Sequence, residues 1–395
     1  MIEGSVNSKI KDLSLLSLIA LSSTLLVWLP HLLSLDSFWG LSFSNGFDII
    51  LRNFDGLEYI TIAKSFYDHN IISTIPYAHD ANYYPAHFPG YPLLIATFAP
   101  IIGFLKSMLF VSITSTILAV WMFYLLVSDF KLTQSPLFLS ILFLFLPARW
   151  LIVRSVGSPE PLFIFFILVA FYSLLKFIKF NSRIWIWISA IFAALAQLTR
   201  PPGNLYAFAV FLFVLFQSYM IFKDQDFKKS ITYLLSFYPY LLVPLTLTGI
   251  FYFYQVITGD FWAYFHSGDN IHLFFPPFSI FNQNQTWVGT IWLEDAIYVL
   301  LLGYLGGFLL LKQKLYPLAF FVLTYVIAAS FVAHKDLSRY TLPVAPLVLI
   351  AFEKVLVSKE FKIVFAVLLL AIYLYSQNFL LQNTAPVPQL HLYYN

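Results

Sequence analysis

The sequence predicts an all-α protein that crosses a membrane about eleven times. Three observations predict it. The 395-residue chain is 60% hydrophobic and only 10% charged, where ordinary soluble domains are roughly 25% charged. Its apolar residues fall in repeated runs near the ~20 residues that a helix needs to cross the hydrocarbon layer. Its basic residues also sort between alternate loops, as they do in chains inserted into a bilayer. No soluble core hides this much apolar surface, and in lipid only helices or closed barrels satisfy every backbone group. The composition excludes other classes too. A formal charge of +3 without a basic run leaves no footprint for nucleic acid. With no Cys there is no disulfide frame, thiolate metal site or Cys nucleophile.

The first run, 13–33, follows a basic start and lacks a small-residue cleavage site, so it is expected as a retained helix. Residues 34–106 form a first long outer loop. Further runs lie at 107–127, 136–153, 161–180, 184–200, 204–222 and 231–257, and a second long outer loop follows at 258–290. The last four runs are 291–311, 316–333, 341–357 and 362–381. The stretch 91–105 is shorter and holds Pro92, Pro100 and Gly103, so it reads as a twelfth span or a dipping interfacial helix.

Lys and Arg concentrate on the cytoplasmic side, which decides between those two. If 91–105 does not cross, the inner loops hold Lys9, Lys11, Lys131, Lys176, Lys179, Arg183 and the lysines at 223, 228, 229, 312, 314, 354, 359 and 362. If it crosses, every later loop inverts and that sorting is lost. Eleven spans with a cytoplasmic N-terminus fit better. Neither a repeat nor a linker divides the chain, so 1–395 reads as one membrane-embedded domain. In this topology five of the six arginines (52, 149, 154, 200 and 339) are outer, while the inner loops are nearly all lysine. Lysine suffices to orient a loop, whereas the planar Arg fork suits phosphate or carboxylate.

Within Leu51–Asn70, Asn53 is expected to cap a helix with Asp55 in its first turn. Asp55, Glu58, Thr61, Ser65 and Asp68 then fall three or four apart in one polar stripe, the mark of an amphipathic helix lying at the outer interface. Such a helix needs a wet side in any case, so the acids serve solvation as readily as chemistry. Further on, Ser158 is expected to cap the next span with Pro159 in its first turn, which makes Glu160 a dipole-complementing acid or a site residue. Arg200 reads as a boundary Arg or a ligand for anions. Arg339 pairs with Asp336 or binds phosphate. His87, His266 and His334 have no local metal-ligand spacing. Asn284 opens an Asn-Gln-Thr sequon on the outer side.

Five pieces together carry a resemblance. They are "FDGLEYITIAKSFY" with "HFPGYPLL" (from Phe54 and His87), "RSVGSPEPLFIFF" (Arg154–Phe166), "ALAQLTRPPGNL" (Ala194–Leu205), "TGDFWAYFHSG" (Thr258–Gly268) and "HKDLSRYTLPVAPL" (His334–Leu347). In this order they resemble the GT-C superfamily of multispanning glycosyltransferases, in particular the second mannosyltransferase of GPI-anchor synthesis and its prokaryotic relatives. The chain departs from that pattern at Phe54, where Trp is frequent, at Leu57 or Glu58, where an aromatic is, and at Gly90, where a bulkier residue is usual.

The resemblance implies a donor sugar, mannose-like, joined through phosphate to a polyprenol in the bilayer. The acceptor would be a hydroxyl of a glycan, lipid or protein on the outer face of a prokaryotic plasma membrane. It implies one catalytic carboxylate and inversion, with Asp55 as general base. Gly56 beside it would let substrate approach closely. The donor phosphate falls to Arg339, Arg200, Lys335 and Tyr340, and substrate contacts to Glu58, Tyr59, His87 and Glu160. No cofactor is implied, and the two carboxylates Asp55 and Glu58 are scant support for a divalent cation. Two other readings stand beside this one. A polysaccharide polymerase or ligase combines many spans with basic outer loops, but its informative long loop comes late. A lipid or solute transporter would place ionisable residues at mid-membrane in paired halves, which this chain lacks.

Overall fold

The computed structural model describes residues 2–224, 226–268, 273–282, 292–388 and 390–394. Among these residues the chain is helical, with isolated bridges and no strand. Among the described residues seven helices are long and apolar enough to cross a membrane: Asn7–Leu32, Phe104–Asp129, Glu160–Phe180, Gly203–Lys223, Phe227–Thr258, Leu293–Lys312 and Lys359–Gln382. The chain is an integral membrane protein. Four shorter apolar helices, Pro136–Phe145, Arg183–Thr199, Tyr316–Ala329 and Leu337–Ala351, fall on the remaining runs expected from the sequence.

The elements used below are α1 (Ile2–Leu32), α2 (Gly56–Ser65), α3 (Gly90–Ile102), α4 (Phe104–Asp129), α5 (Glu160–Phe180), α6 (Arg183–Thr199), α7 (Leu337–Tyr340) and α8 (Lys359–Gln382). The short stretch 91–105 became α3. Its 13 residues reach about 20 Å at 1.5 Å each, less than the ~30 Å hydrocarbon layer. Gly103 (φ 81°) then turns the chain directly into α4.

Polar side chains gather at both ends of the bundle. The 21 residues of α5 span about 31 Å. Glu160 starts that helix, and Lys176 near its other end lies 3.6 Å from Asp129, which also binds Lys9 (2.6 Å) and the Tyr172 hydroxyl (2.7 Å). Arg154 is fully buried, and among the described residues no carboxylate pairs with it. It donates to the Leu144 carbonyl (2.9 Å), freed where Pro147 breaks a helix, and to Ser23 (2.8 Å) and Thr24 (2.9 Å) of α1.

The first long loop differs from the expected wet-faced helix. α2 lies against α3 and α4, and eight of its ten residues are buried. Thr61 and Ser65 bond the Leu57 and Thr61 carbonyls of their own helix, and Asp68 caps a separate short turn. Three of the five stripe residues are thus satisfied by local backbone. Asn53 does not cap α2. It is buried, donates to the Leu380 carbonyl (2.9 Å) and accepts from Asn383 (3.1 Å), which fixes the loop to the end of α8. The second long loop is described only at 258–268 and 273–282, and Asn284–Thr286 lies outside the described residues.

Gly90 marks a tight helix approach near the loop. A Cβ there would stand 2.8 Å from the Leu198 carbonyl oxygen and 2.9 Å from the Thr199 Cα, both backbone atoms. A bulkier residue does not fit. Gly90→Ala is expected to push α3 from the end of α6 at a cost of about 1–3 kcal/mol, read as a lowered melting temperature in detergent; an unchanged value would refute the close approach.

Candidate active site

Three loop segments and one helix start deliver the site. Phe54 takes a left-handed backbone conformation (φ 48°), a strain of about 1–3 kcal/mol for a non-glycine residue. The bend sets Asp55 at the head of α2 with its side chain making no cap bond. Gly56 packs closely, because a Cβ there would be 3.0 Å from Met108 Sδ. Pro201 forces Arg200 into the extended region (φ −149°, ψ 144°) and ends α6. The turn before α5 is held by Tyr91, whose hydroxyl meets Ser112 (2.7 Å) and accepts from the Ser158 N–H (3.1 Å). Ser158 does not cap α5 as expected; its hydroxyl bonds the Glu160 carboxylate.

Arg339, in the single turn of α7, joins these segments. Its Nε donates to Glu160 Oε1 (2.7 Å) and its Nη1 lies 3.0 Å from Asp55 Oδ2. Arg200 Nη1 stands 3.1 Å from the same Glu160 oxygen. Two carboxylates thus face two guanidiniums, and the four formal charges balance. Exposure grades across the cluster, with the Glu160 side chain at 0%, Arg339 at 5% and Asp55 at 33%. The guanidinium of Arg339 lies 4.3 Å from the Phe54 ring centre, Phe54 stacks on Phe379, and Arg149 covers Phe379 at 4.0 Å. Arg149 also reaches Asp336 at 3.5 Å. Burial raises the Asp55 carboxyl, but Arg339, His87 and Arg200 together outweigh it and hold the group below its usual value.

This arrangement offers a partly exposed, ionised carboxylate beside cationic donors whose positions are fixed from behind. It can accept a proton at Asp55 and stabilise an anion at the adjacent guanidinium.

The fold is shared with an oligosaccharyltransferase. A structure of the Archaeoglobus fulgidus enzyme, tethered with an acceptor peptide containing the NVT sequon, matches at TM-score 0.52 with 15% identity over 94% of this chain and 54% of that chain. AglB from the same organism, in complex with an inhibitory peptide and a dolichol-phosphate, matches at 0.52 with 14% identity over 96% and 56%. The chain spans about half the length of these proteins. They are glycosyltransferases of the GT-C type, the fold that the resemblance implied. No protein-family model and no curated protein matches the sequence.

Of the residues singled out in sequence, Asp55, Glu160, Arg200 and Arg339 meet. Tyr340 adjoins them, and Tyr59 packs edge-on against His87 (5.1 Å) and Tyr91 (5.2 Å) behind Asp55. Glu58 turns instead to His79 at 3.4 Å, Lys335 is exposed, and His266 pairs with Asp260 (2.6 Å). Among the described residues no three His, Asp or Glu side chains form a metal-holding group. The roles of Tyr91 and Arg149 had no reading in sequence, and Ser158 was read only as a helix cap. For Arg149 the signal was present, since the charge sorting had grouped it with four other arginines.

Proposed function

We propose that this protein is a membrane glycosyltransferase that moves a hexose, most simply mannose, from a polyprenyl-phosphate donor to an acceptor hydroxyl. The observation that carries this reading is the Asp55–Arg339–Glu160–Arg200 network, which sets a base beside two arginines. Asp55 takes the proton of the acceptor hydroxyl as its oxygen attacks the anomeric carbon. The bond from that carbon to the phosphate oxygen breaks, and the electron pair leaves with the phosphate. The leaving phosphate gains a negative charge in this step, so Arg339 and Arg200 act where charge develops. Attack opposite the leaving group inverts the anomeric centre.

Tyr340 and the exposed Lys335 flank the phosphate, while Tyr59 and His87 wall the sugar; Glu58, turned to His79, contacts substrate only at the rim. An apolar cleft of about 400 Å³, lined by Phe66, Pro89, Leu93, Leu198, Gly249 and Phe253, opens two residues from both His87 and Arg200. It supports a donor with a lipid tail. The dolichol-phosphate bound by one of the structural neighbours fits the same reading. In the proposed topology the N-terminus is cytoplasmic and the site faces outward from a prokaryotic plasma membrane.

The test incubates purified protein with polyprenyl-phosphate mannose or glucose together with glycan, lipid and peptide hydroxyl acceptors and follows donor consumption. Consumption is expected, and Arg339→Ala should lower kcat/KM by roughly 10²-fold. Arg339→Lys should recover part of it, because charge returns without the planar fork. Donor use unchanged in both variants would remove Arg339 from the phosphate.

A further inference from the structure

Arg339 is engaged on every side that the network reaches. Glu160 holds its Nε, Phe54 lies under its face, and Asp55 occupies Nη1. Glu160 is sealed, whereas Asp55 keeps 33% of its side chain exposed. An anion arriving from outside therefore meets the guanidinium at the edge where Asp55 already sits. Resting on the function proposed above, we infer that Asp55 and the donor's phosphate compete for Arg339, so that donor binding releases the base from its clamp. Fixed from behind by Glu160 and Phe54, the guanidinium cannot swing outward to serve both anions. If the phosphate takes the other Nη, the two anions still face each other across one cation, and their repulsion drives Asp55 away. Either route makes the donor the first substrate, because only its arrival turns a clamped carboxylate into a free proton acceptor.

The sign of one measurement tests this. Undecaprenyl phosphate, which carries the anion without a sugar, is titrated against the purified full chain and followed by native mass spectrometry. Asp55→Asn and Asp55→Ser are both expected to bind it more tightly, by roughly five- to tenfold, as fits the loss of a competing anion worth about 1–1.5 kcal/mol. Each variant counts only if its melting temperature shows a folded chain, and either suffices. Equal or weaker binding overturns the competition; weaker binding would mean that Asp55 itself helps to hold the phosphate, as through a bridging cation. Arg339→Ala separates this result from the function it rests on. If that variant loses binding while Asp55→Asn gains none, the competition alone fails. If it binds as the unaltered chain does, the phosphate assignment fails.

Discussion

Asp55→Asn is expected to lower sugar transfer by about 10³-fold or more, within the range that a positioned general base contributes, while the chain still folds. Asparagine keeps the shape of the side chain and can still accept a hydrogen bond from Arg339, but it cannot take a proton. The pH dependence follows from the direction of the Asp55 shift. Its carboxyl lies below the ordinary 3.8 because Arg339, His87 and Arg200 outweigh burial. It is therefore ionised throughout the neutral range, and the limb of kcat/KM due to Asp55 falls only as pH drops through that depressed value. The same shift contributes stability that is present above the unfolded-state pKa and lost as pH falls through the folded one. Single-turnover rates with saturating polyprenyl-phosphate sugar check the assignment. A variant retaining a tenth of the original rate would remove Asp55 as the base.

That base is depressed in pKa and consequently weak, which fits chemistry only if its partner is drawn off at the moment of reaction. A carboxylate clamped by a guanidinium is stored in its ionised form and released by the substrate whose leaving group most needs the cation. Conflict over one guanidinium therefore couples the two halves of the reaction.

The sequence displayed the spans and the four site residues but not their connection. Hydropathy located the long helices because the ~30 Å layer demands a fixed length of apolar chain. Asp55, Glu160 and Arg200 each stood beside a Gly or Pro at a helix terminus. Arg339 and Glu160, however, are 179 residues apart, and no local spacing records that they meet. The stripe on α2 misled for a related reason. Helical spacing tells which residues share a face but not what covers it, and Thr61 and Ser65 bond their own helix under a buried surface. The arginines that the sequence grouped as outer divide in the same way. Arg200 and Arg339 enter the site, Arg149 lies one layer behind, Arg154 ties α1 to a helix break, and Arg52 holds the Ala385 carbonyl at 3.2 Å. Sorting by side of the membrane selected the set, and only packing assigned the members.

Glu160→Ala is expected to destabilise the fold by about 3–5 kcal/mol, the cost of removing one partner from a buried ion pair. Sequence suggested a substrate contact at this position, but a side chain with no exposed surface and both arginines on one oxygen acts through them. Without it, two guanidiniums face each other in a medium that screens poorly, with Asp55 alone to balance them. A substrate contact would predict a changed donor KM at an unchanged melting temperature. The positioning role predicts a lower melting temperature, and in Glu160→Gln, which keeps the shape, a fall in kcat with the chain still folded. Replacing Glu160 and Arg200 together by leucine removes a charge of each sign and leaves Arg339 with Asp55. That double variant should recover much of the stability lost in Glu160→Ala, because a buried pair exchanged for apolar residues is often neutral, yet remain inactive because Arg339 has lost the anchor behind it and the phosphate has lost Arg200. Recovery of activity along with stability would show that Glu160 only holds the fold.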